Sequence, residues 1–341
     1  MPEILSFGAS DQPVYSEEKA VEDVAGALME AHKPILVSGS HRSGTTWIGR
    51  MLAEAPSLFY IHEPFSVTDP PGRGICNAQF KHWFTYITRE NEDSFYKPIR
   101  NMIMLKYDLA GELKTCRSRE GLREIRRQYT SFWRHRQQGT YVLLKDPMAF
   151  FSAGWLADRF DMNVVMVVRH PAAFVSSIKK LRWHHPFSHF LEQPVLMRDF
   201  LYPFEEQIRQ YACKEQDLLD QAILLWKLIH HTMLQYQKAH PDWIFVRHED
   251  ISRDPVLEFR RLYNQLSLDL TPTAKGVIEN FSSPRNPSET DAPVGSEEIL
   301  MRHSASSIWT WRKRLSTPEI EKIRCDVEEL SGAFYSAEEW E

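Results

Sequence analysis

Short apolar runs ending at a glycine, a proline or a charge recur along this chain. Between them lie stretches in which apolar residues return every three or four positions. The runs KPILVSG (33–39), SLFYIHEP (57–64), YVLLKDP (141–147), NVVMVVRHP (163–171) and WIFVRHED (243–250) are short and rich in aliphatic residues, which predicts buried strands. After the first, GTTWIGRMLAEAP places apolar residues at 47, 48, 51 and 52 and stops before Pro56, which predicts an amphipathic helix. MAFFSAGWLADRF has helical spacing between the third and fourth runs, so 141–168 reads as a parallel strand–helix–strand unit. The stretch from Gln207 to His240 reads as one long amphipathic helix. The fold class predicted is α/β: a doubly wound, mostly parallel sheet with a phosphate-type loop after the first strand. Residues 1–33 read as a polar leader with one short helix, and 34–341 as a single domain. Within it, 65–140 and 182–240 read as helical insertions on the acceptor side.

The 341 residues suffice for such a domain. A net charge of −5 opposes any general affinity for nucleic acid, so a bound anion must be held by local cations. Cys76, Cys116, Cys213 and Cys325 form no C-x-x-C pair, the usage of reduced thiols rather than of a disulfide framework or zinc site. The acidic start has no signal-like apolar stretch, and no run approaches the ~20 apolar residues of a membrane span. The expectation is a cytoplasmic protein; its oligomeric state is not legible.

The run VSGSHRSGTTWIGRML (37–52) carries the chemistry. Against the pattern G-x-x-x-x-G-K-[ST], Gly39, Gly44 and Thr46 fall on schedule, but Thr45 stands where the lysine belongs and the cation is Arg42. Backbone N–H groups opening onto a helix N-terminus still make an anion site. Without the lysine that bridges β- and γ-phosphates, a single 5′-phosphate with a less charged transferable group fits better than a triphosphate. An ATP-using kinase and a non-catalytic nucleotide-binding protein are the competing readings.

HRSGTTW resembles the 5′-phosphosulfate loop of sulfotransferases that use 3′-phosphoadenosine-5′-phosphosulfate (PAPS). VVMVVRHPAAFVSSIKK resembles their second element, a strand running into an arginine with a serine eight residues on, here Arg169 and Ser177. LLKDPMAF resembles a K-D-P strand end of the tyrosylprotein and bacterial branches. VRHEDI resembles the Y-E-D segment with His248 for the usual tyrosine, and MRHSASSIWTWRKRLS the C-terminal loop, with WRKRLS opening the last helix. The resemblance runs from about 34 to 331 and is poor in both insertions, where acceptors are usually recognised.

It implies sulfate transfer from PAPS to a hydroxyl, most readily on a carbohydrate or glycoconjugate, with small phenolic, lipid and peptide hydroxyls as alternatives. The backbone of Ser43, Gly44, Thr45 and Thr46, with the two threonine hydroxyls, would hold the 5′-phosphate and sulfate. Arg42 would neutralise the leaving oxygen, and Lys145 would assist it. Trp47 would stack on adenine, although plain helix packing also explains it. Arg169 and Ser177 would grip the 3′-phosphate, with Arg302 as a second candidate. Pro147 occupies the place of the small-molecule branch's histidine base, so Glu63, after the second strand, is the preferred base; Asp146 and His62 are the alternatives. No metal is expected: His185 and His189 in WHHPFSHF lack a carboxylate partner. Those residues of 183–203 are expected to line or cover the acceptor pocket. The stretch 114–136 has eight Lys or Arg against two Glu, either a solvated helix face or a track for an anionic partner such as an acidic polysaccharide or lipid headgroup.

Overall fold

The computed structural model describes residues 33–214, 216–288 and 300–341; most of the polar leader, residues 1–32, lies outside the described residues. Five strands form one all-parallel sheet: β1 (Ile35–Gly39), β2 (Leu58–His62), β3 (Tyr141–Lys145), β4 (Asn163–Val168) and β5 (Ile244–Arg247), in the order β2-β3-β1-β4-β5. Each expected strand is present, trimmed by one to four residues at its ends. The last is cut most, because His248 already opens the helix His248–Arg253.

Alternation along the strands builds two cores. Leu36, Ile61, Val142, Leu144, Val164, Met166 and Val168 face one layer of helices, which includes Pro171–Leu181, Leu218–Ala239 and Thr317–Ser331. Ile35, Val37, Leu58, Leu143, Val165 and Val167 face the other, with Thr45–Leu52 and Pro255–Gln265. A sheet buried on both faces explains why its strands read as continuous apolar runs. The chain leaves β1 toward β2 and leaves β4 toward β5, so the winding reverses between these neighbours. Open α/β sheets bind ligands at the carboxyl ends of such strands.

Two expectations are corrected. The stretch 207–240 is not one helix: it divides into Glu205–Cys213 and Leu218–Ala239. Asp217 accepts the Leu219 N–H at 2.8 Å and caps the second helix, an end signal that amphipathic periodicity alone overrides. WRKR does not open the last helix either. Trp311–Arg314 is a separate turn, and Thr317–Ser331 starts afresh at the capping box of Ser316 and Glu319. In 65–140 the described elements are helical, chiefly Tyr96–Ile103, Leu109–Thr115 and Arg119–Gln137.

Candidate active site

The loop after β1 turns sharply. Ser43 donates both its N–H (3.1 Å) and its hydroxyl (2.6 Å) to the Ser40 carbonyl. Arg42 takes a left-handed φ of 65° and Gly44 one of 94°. At Gly44 a Cβ would lie 2.3 Å from Cδ2 of His248, so both conformation and space demand glycine. Gly39 needs the same freedom, because its Cβ would meet the Val167 carbonyl at 2.4 Å. Helix Thr45–Leu52 begins without a side-chain cap, leaving its first N–H groups to an incoming anion.

Register then brings in the second motif. Gly39 pairs with Val167, so the loop after β1 and Arg169 after β4 emerge side by side. The Arg169 guanidinium donates to the Arg42 carbonyl, and Arg42 Nε donates to Ser177 Oγ at 3.1 Å. Burial, then the neighbouring Arg302 and Arg314, lower the pKa of Arg42, with Glu63 opposing them. Arg169 falls to about 10, again through burial first, while Glu249 pulls it upward. Arg314 was not singled out in the sequence. It shares the basic string WRKR with two exposed neighbours, and only tertiary structure distinguishes the half-buried one.

Glu63 and Lys145 form an ion pair at the ends of β2 and β3. The register explains it: His62 pairs with Lys145, and the Glu63 N–H donates to the Lys145 carbonyl at 2.9 Å. Glu63 holds φ at 43°, a left-handed conformation that costs a non-glycine residue roughly 1–3 kcal/mol. The Lys145 side chain is fully buried, and that burial lowers its pKa while Glu63 raises it.

The alternative bases sit differently. Asp146 accepts backbone N–H bonds from Phe65 at 2.7 Å and Met148 at 2.8 Å, tying the loop after β2 to β3. Its carboxyl is pushed up to about 7 by burial, then by Glu63, against those donors. His62 bonds Tyr60 through Nδ1 at 3.0 Å and is held down at about 4 by burial and Lys145.

Trp47 is packed edge-on against Phe259 and His248, only 8% exposed, with Nε1 buried and unpartnered. His185 lies buried among Phe84, Phe187 and Phe190, and His189 Nδ1 accepts the Trp83 N–H at 3.0 Å. His185, Phe187 and Phe190 are therefore core. Trp183, 36% exposed, remains beside Trp83 and the loop's His41.

A family profile described as "Sulfotransferase family" matches residues 34–272, more than two thirds of the chain. The chain belongs to the sulfotransferase family. Mouse carbohydrate sulfotransferase 4 is 22% identical over 339 residues, covering 83% of this chain and 77% of the relative. Among solved structures, mouse sulfotransferase SULT7A1 complexed with PAP has a TM-score of 0.46 at 11% identity, covering 93% of this chain and 92% of that one. A sulfotransferase from Alicyclobacillus acidocaldarius scores 0.40 at 15% identity, with 91% and 98% covered.

This sulfotransferase is an enzyme whose sulfate donor is PAPS. The loop and its surroundings fit that donor on their own evidence. Ser40 Oγ, Trp47 Nε1 and Arg169 Nε are buried without partners around an uncapped helix N-terminus, where Arg42 and Arg169 converge. Buried polar atoms rarely lack partners, and a ligand is one standing explanation.

Proposed function

We propose that this sulfotransferase transfers the sulfuryl group to a hydroxyl of a carbohydrate or glycoconjugate. The catalytic roles are assigned to Glu63 and Lys145, the ion pair at the ends of β2 and β3. The observation that carries the catalytic assignment is the convergence of four strand ends: Arg42 after β1, Glu63 after β2, Lys145 on β3 and Arg169 after β4. The similarity to mouse carbohydrate sulfotransferase 4 supports the acceptor class.

When bound, PAPS supplies the sulfuryl group and leaves as PAP. Thr45, Thr46 and the N–H groups from Gly44 onward would hold the 5′-phosphate and sulfate. Ser43 contributes through the turn it closes. Arg169 and Ser177 would hold the 3′-phosphate, with Arg302 and Arg314 adding positive potential. Arg42 Nε bonds Ser177 Oγ, and with PAPS bound its guanidinium would neutralise the leaving oxygen. Trp47 would close the adenine side, reached through its unpartnered edge. Glu63 takes the acceptor proton, since it is the only one of the three candidate carboxylate and imidazole bases that combines partial exposure with a carboxylate not tied to backbone donors. Lys145 would stabilise the sulfate oxygens. The parts of 182–240 that remain accessible, Trp183 foremost, are assigned to the acceptor side of one domain, and a cytoplasmic setting accords with the cysteine usage. Among the described residues no helix is long and apolar enough to cross a membrane.

Labelled PAPS screened against saccharides, phenols, lipids and peptides tests the acceptor. Transfer confined to phenols or peptides overturns the carbohydrate reading.

Arg42 and Lys145 provide the positive charge that a divalent ion supplies in kinases, so transfer is expected to persist in EDTA. Loss of activity in EDTA with restoration by Mg²⁺ would refute this role for the two cations.

Gly49 offers a structural probe of Lys145. A Cβ there would lie 2.9 Å from Lys145 Cγ and 3.2 Å from Tyr60. The buried lysine stem has nowhere to swing, so Gly49→Ala should shift Nζ away from Glu63. A displacement approaching an ångström is worth up to ~10²-fold in rate. Turnover should fall about tenfold or more while PAP affinity holds within threefold. Unchanged turnover in a folded variant would show that the position of Lys145 is immaterial.

A further inference from the structure

Helix Arg119–Gln137 lies on the outer edge of the domain, with Phe132 and His135 resting on Phe59 of β2. Ile125 and Phe132 are its buried residues. Its outward surface joins two features that rarely share a solvated helix. One is an open cleft of about 440 Å³ lined by Arg123, Arg126, Arg127, Arg134, Thr130 and Ser131. The other is an exposed apolar row: Leu122 is 50% exposed, Tyr129 40% and Trp133 56%. With Arg126 these occupy positions i, i+4, i+7 and i+11, one stripe of a helix. The stretch 114–136 carries eight Lys or Arg against two Glu in a chain whose net charge is −5. Glu124 pairs with Arg127 and neutralises only that guanidinium.

We propose that this helix docks the enzyme on an anionic membrane surface, lying flat with its arginines among headgroup phosphates and Leu122, Tyr129 and Trp133 in the interface. Charge complementarity selects an anionic partner; the apolar row selects a lipid surface over a dissolved polyanion. A glycan in water is held by arginines and hydroxyls and gives Leu122 nothing to bury against. At a bilayer surface an aromatic or leucine side chain enters the acyl boundary while the cations beside it stay in the headgroups. At 19 residues the helix is ~28 Å long, enough to span several headgroups. The surface is separate from the phosphate loop, so docking leaves nucleotide binding untouched.

The test is co-sedimentation of the full chain with vesicles of phosphatidylcholine alone or containing phosphatidylserine, across a salt series. Binding is expected only with phosphatidylserine and should weaken as salt screens the arginines. Each arginine is worth about fivefold, so the triple variant Arg123→Gln, Arg126→Gln, Arg134→Gln should lose on the order of a hundredfold in partitioning. Leu122→Ser with Trp133→Ser should lose about tenfold or more. Both variants should keep the circular dichroism spectrum and PAP affinity of the parent. No binding to phosphatidylserine vesicles, or equal binding to neutral ones, overturns the proposal. So does heparin binding as strong as vesicle binding with no effect of the Leu122 and Trp133 changes, which would make the face a soluble-polyanion site.

Discussion

Replacing Glu63 with glutamine is expected to lower kcat by about 10²–10⁴-fold while PAP affinity stays within threefold of the parent. Glutamine keeps the size and the acceptor oxygen but cannot take a proton. The backbone that places the side chain is held independently, by the Glu63 N–H bond to the Lys145 carbonyl and the Ser66 N–H bond to the Glu63 carbonyl at 3.1 Å. The loop should therefore survive the change. The one interaction altered besides basicity is the ion pair. Losing the carboxylate leaves the buried Lys145 ammonium with a weaker partner, a destabilisation of about 1–3 kcal/mol read as a lower Tm. Rapid-quench measurement of sulfate transfer at saturating PAPS separates the effects, because a merely structural carboxylate would lower Tm and PAP binding together and leave kcat per folded enzyme unchanged. Turnover within about threefold of the parent would pass the role to His62 or Asp146. Asp146→Asn then becomes the informative variant: an amide cannot accept on both sides, and the bonds from Phe65 and Met148 fall on different oxygens.

Arg169→Ala is expected to remove the preference for PAP over AMP. A charge-assisted grip on the 3′-phosphate is worth roughly 1.5–3 kcal/mol, so the parent should favour PAP by about tenfold to 150-fold and the variant by no more than about threefold. Calorimetry with the two nucleotides reads this directly. The variant should remain folded. Trp226 Nε1 bonds the Arg169 backbone carbonyl at 3.0 Å, which alanine retains, and Glu249 keeps the His170 N–H at 3.0 Å and the Tyr335 hydroxyl at 2.9 Å. What is lost is the bond to the Arg42 carbonyl and a cation that Glu249 faces. Arg169→Lys keeps a charge but not the forked geometry and should recover only part of the discrimination. Equal affinity of the parent for PAP and AMP would remove Arg169 and Ser177 from the 3′-phosphate.

The five strands, the parallel winding and the glycine-bounded loop after β1 were legible in the chain itself. Their signals are local: a strand buried on both faces must be continuously apolar, and a loop that cradles an anion must break with glycine at set intervals. Gly39, Gly44 and Arg42 could be named without coordinates for that reason, whereas Arg169 and Ser177 were named by the family resemblance of their segment. Periodicity also placed the helices, but it ran past the helix end at Cys213 and the new start at Asp217, and past Ser316, because one capping side chain is a weak signal inside a long apolar pattern.

Pairings across the sheet depended on tertiary structure. That Glu63 meets Lys145 follows from β2 lying beside β3 in a register that sets His62 against Lys145, and nothing within either segment encodes it. The bond between Arg42 and Ser177, 135 positions apart, likewise exists because β1 and β4 are neighbours although β2 and β3 come between them in sequence. The same holds for burial. Arg314 and Arg312 look alike in the chain, yet one is half-buried near Arg42 and Arg169, while the other stands in solvent over Trp309. Local chemistry sets which residue types can bind an anion or move a proton; the strand order decides which of them share one crevice, since neighbours in a parallel sheet are chosen by the packing of helices over both faces rather than by proximity in the chain.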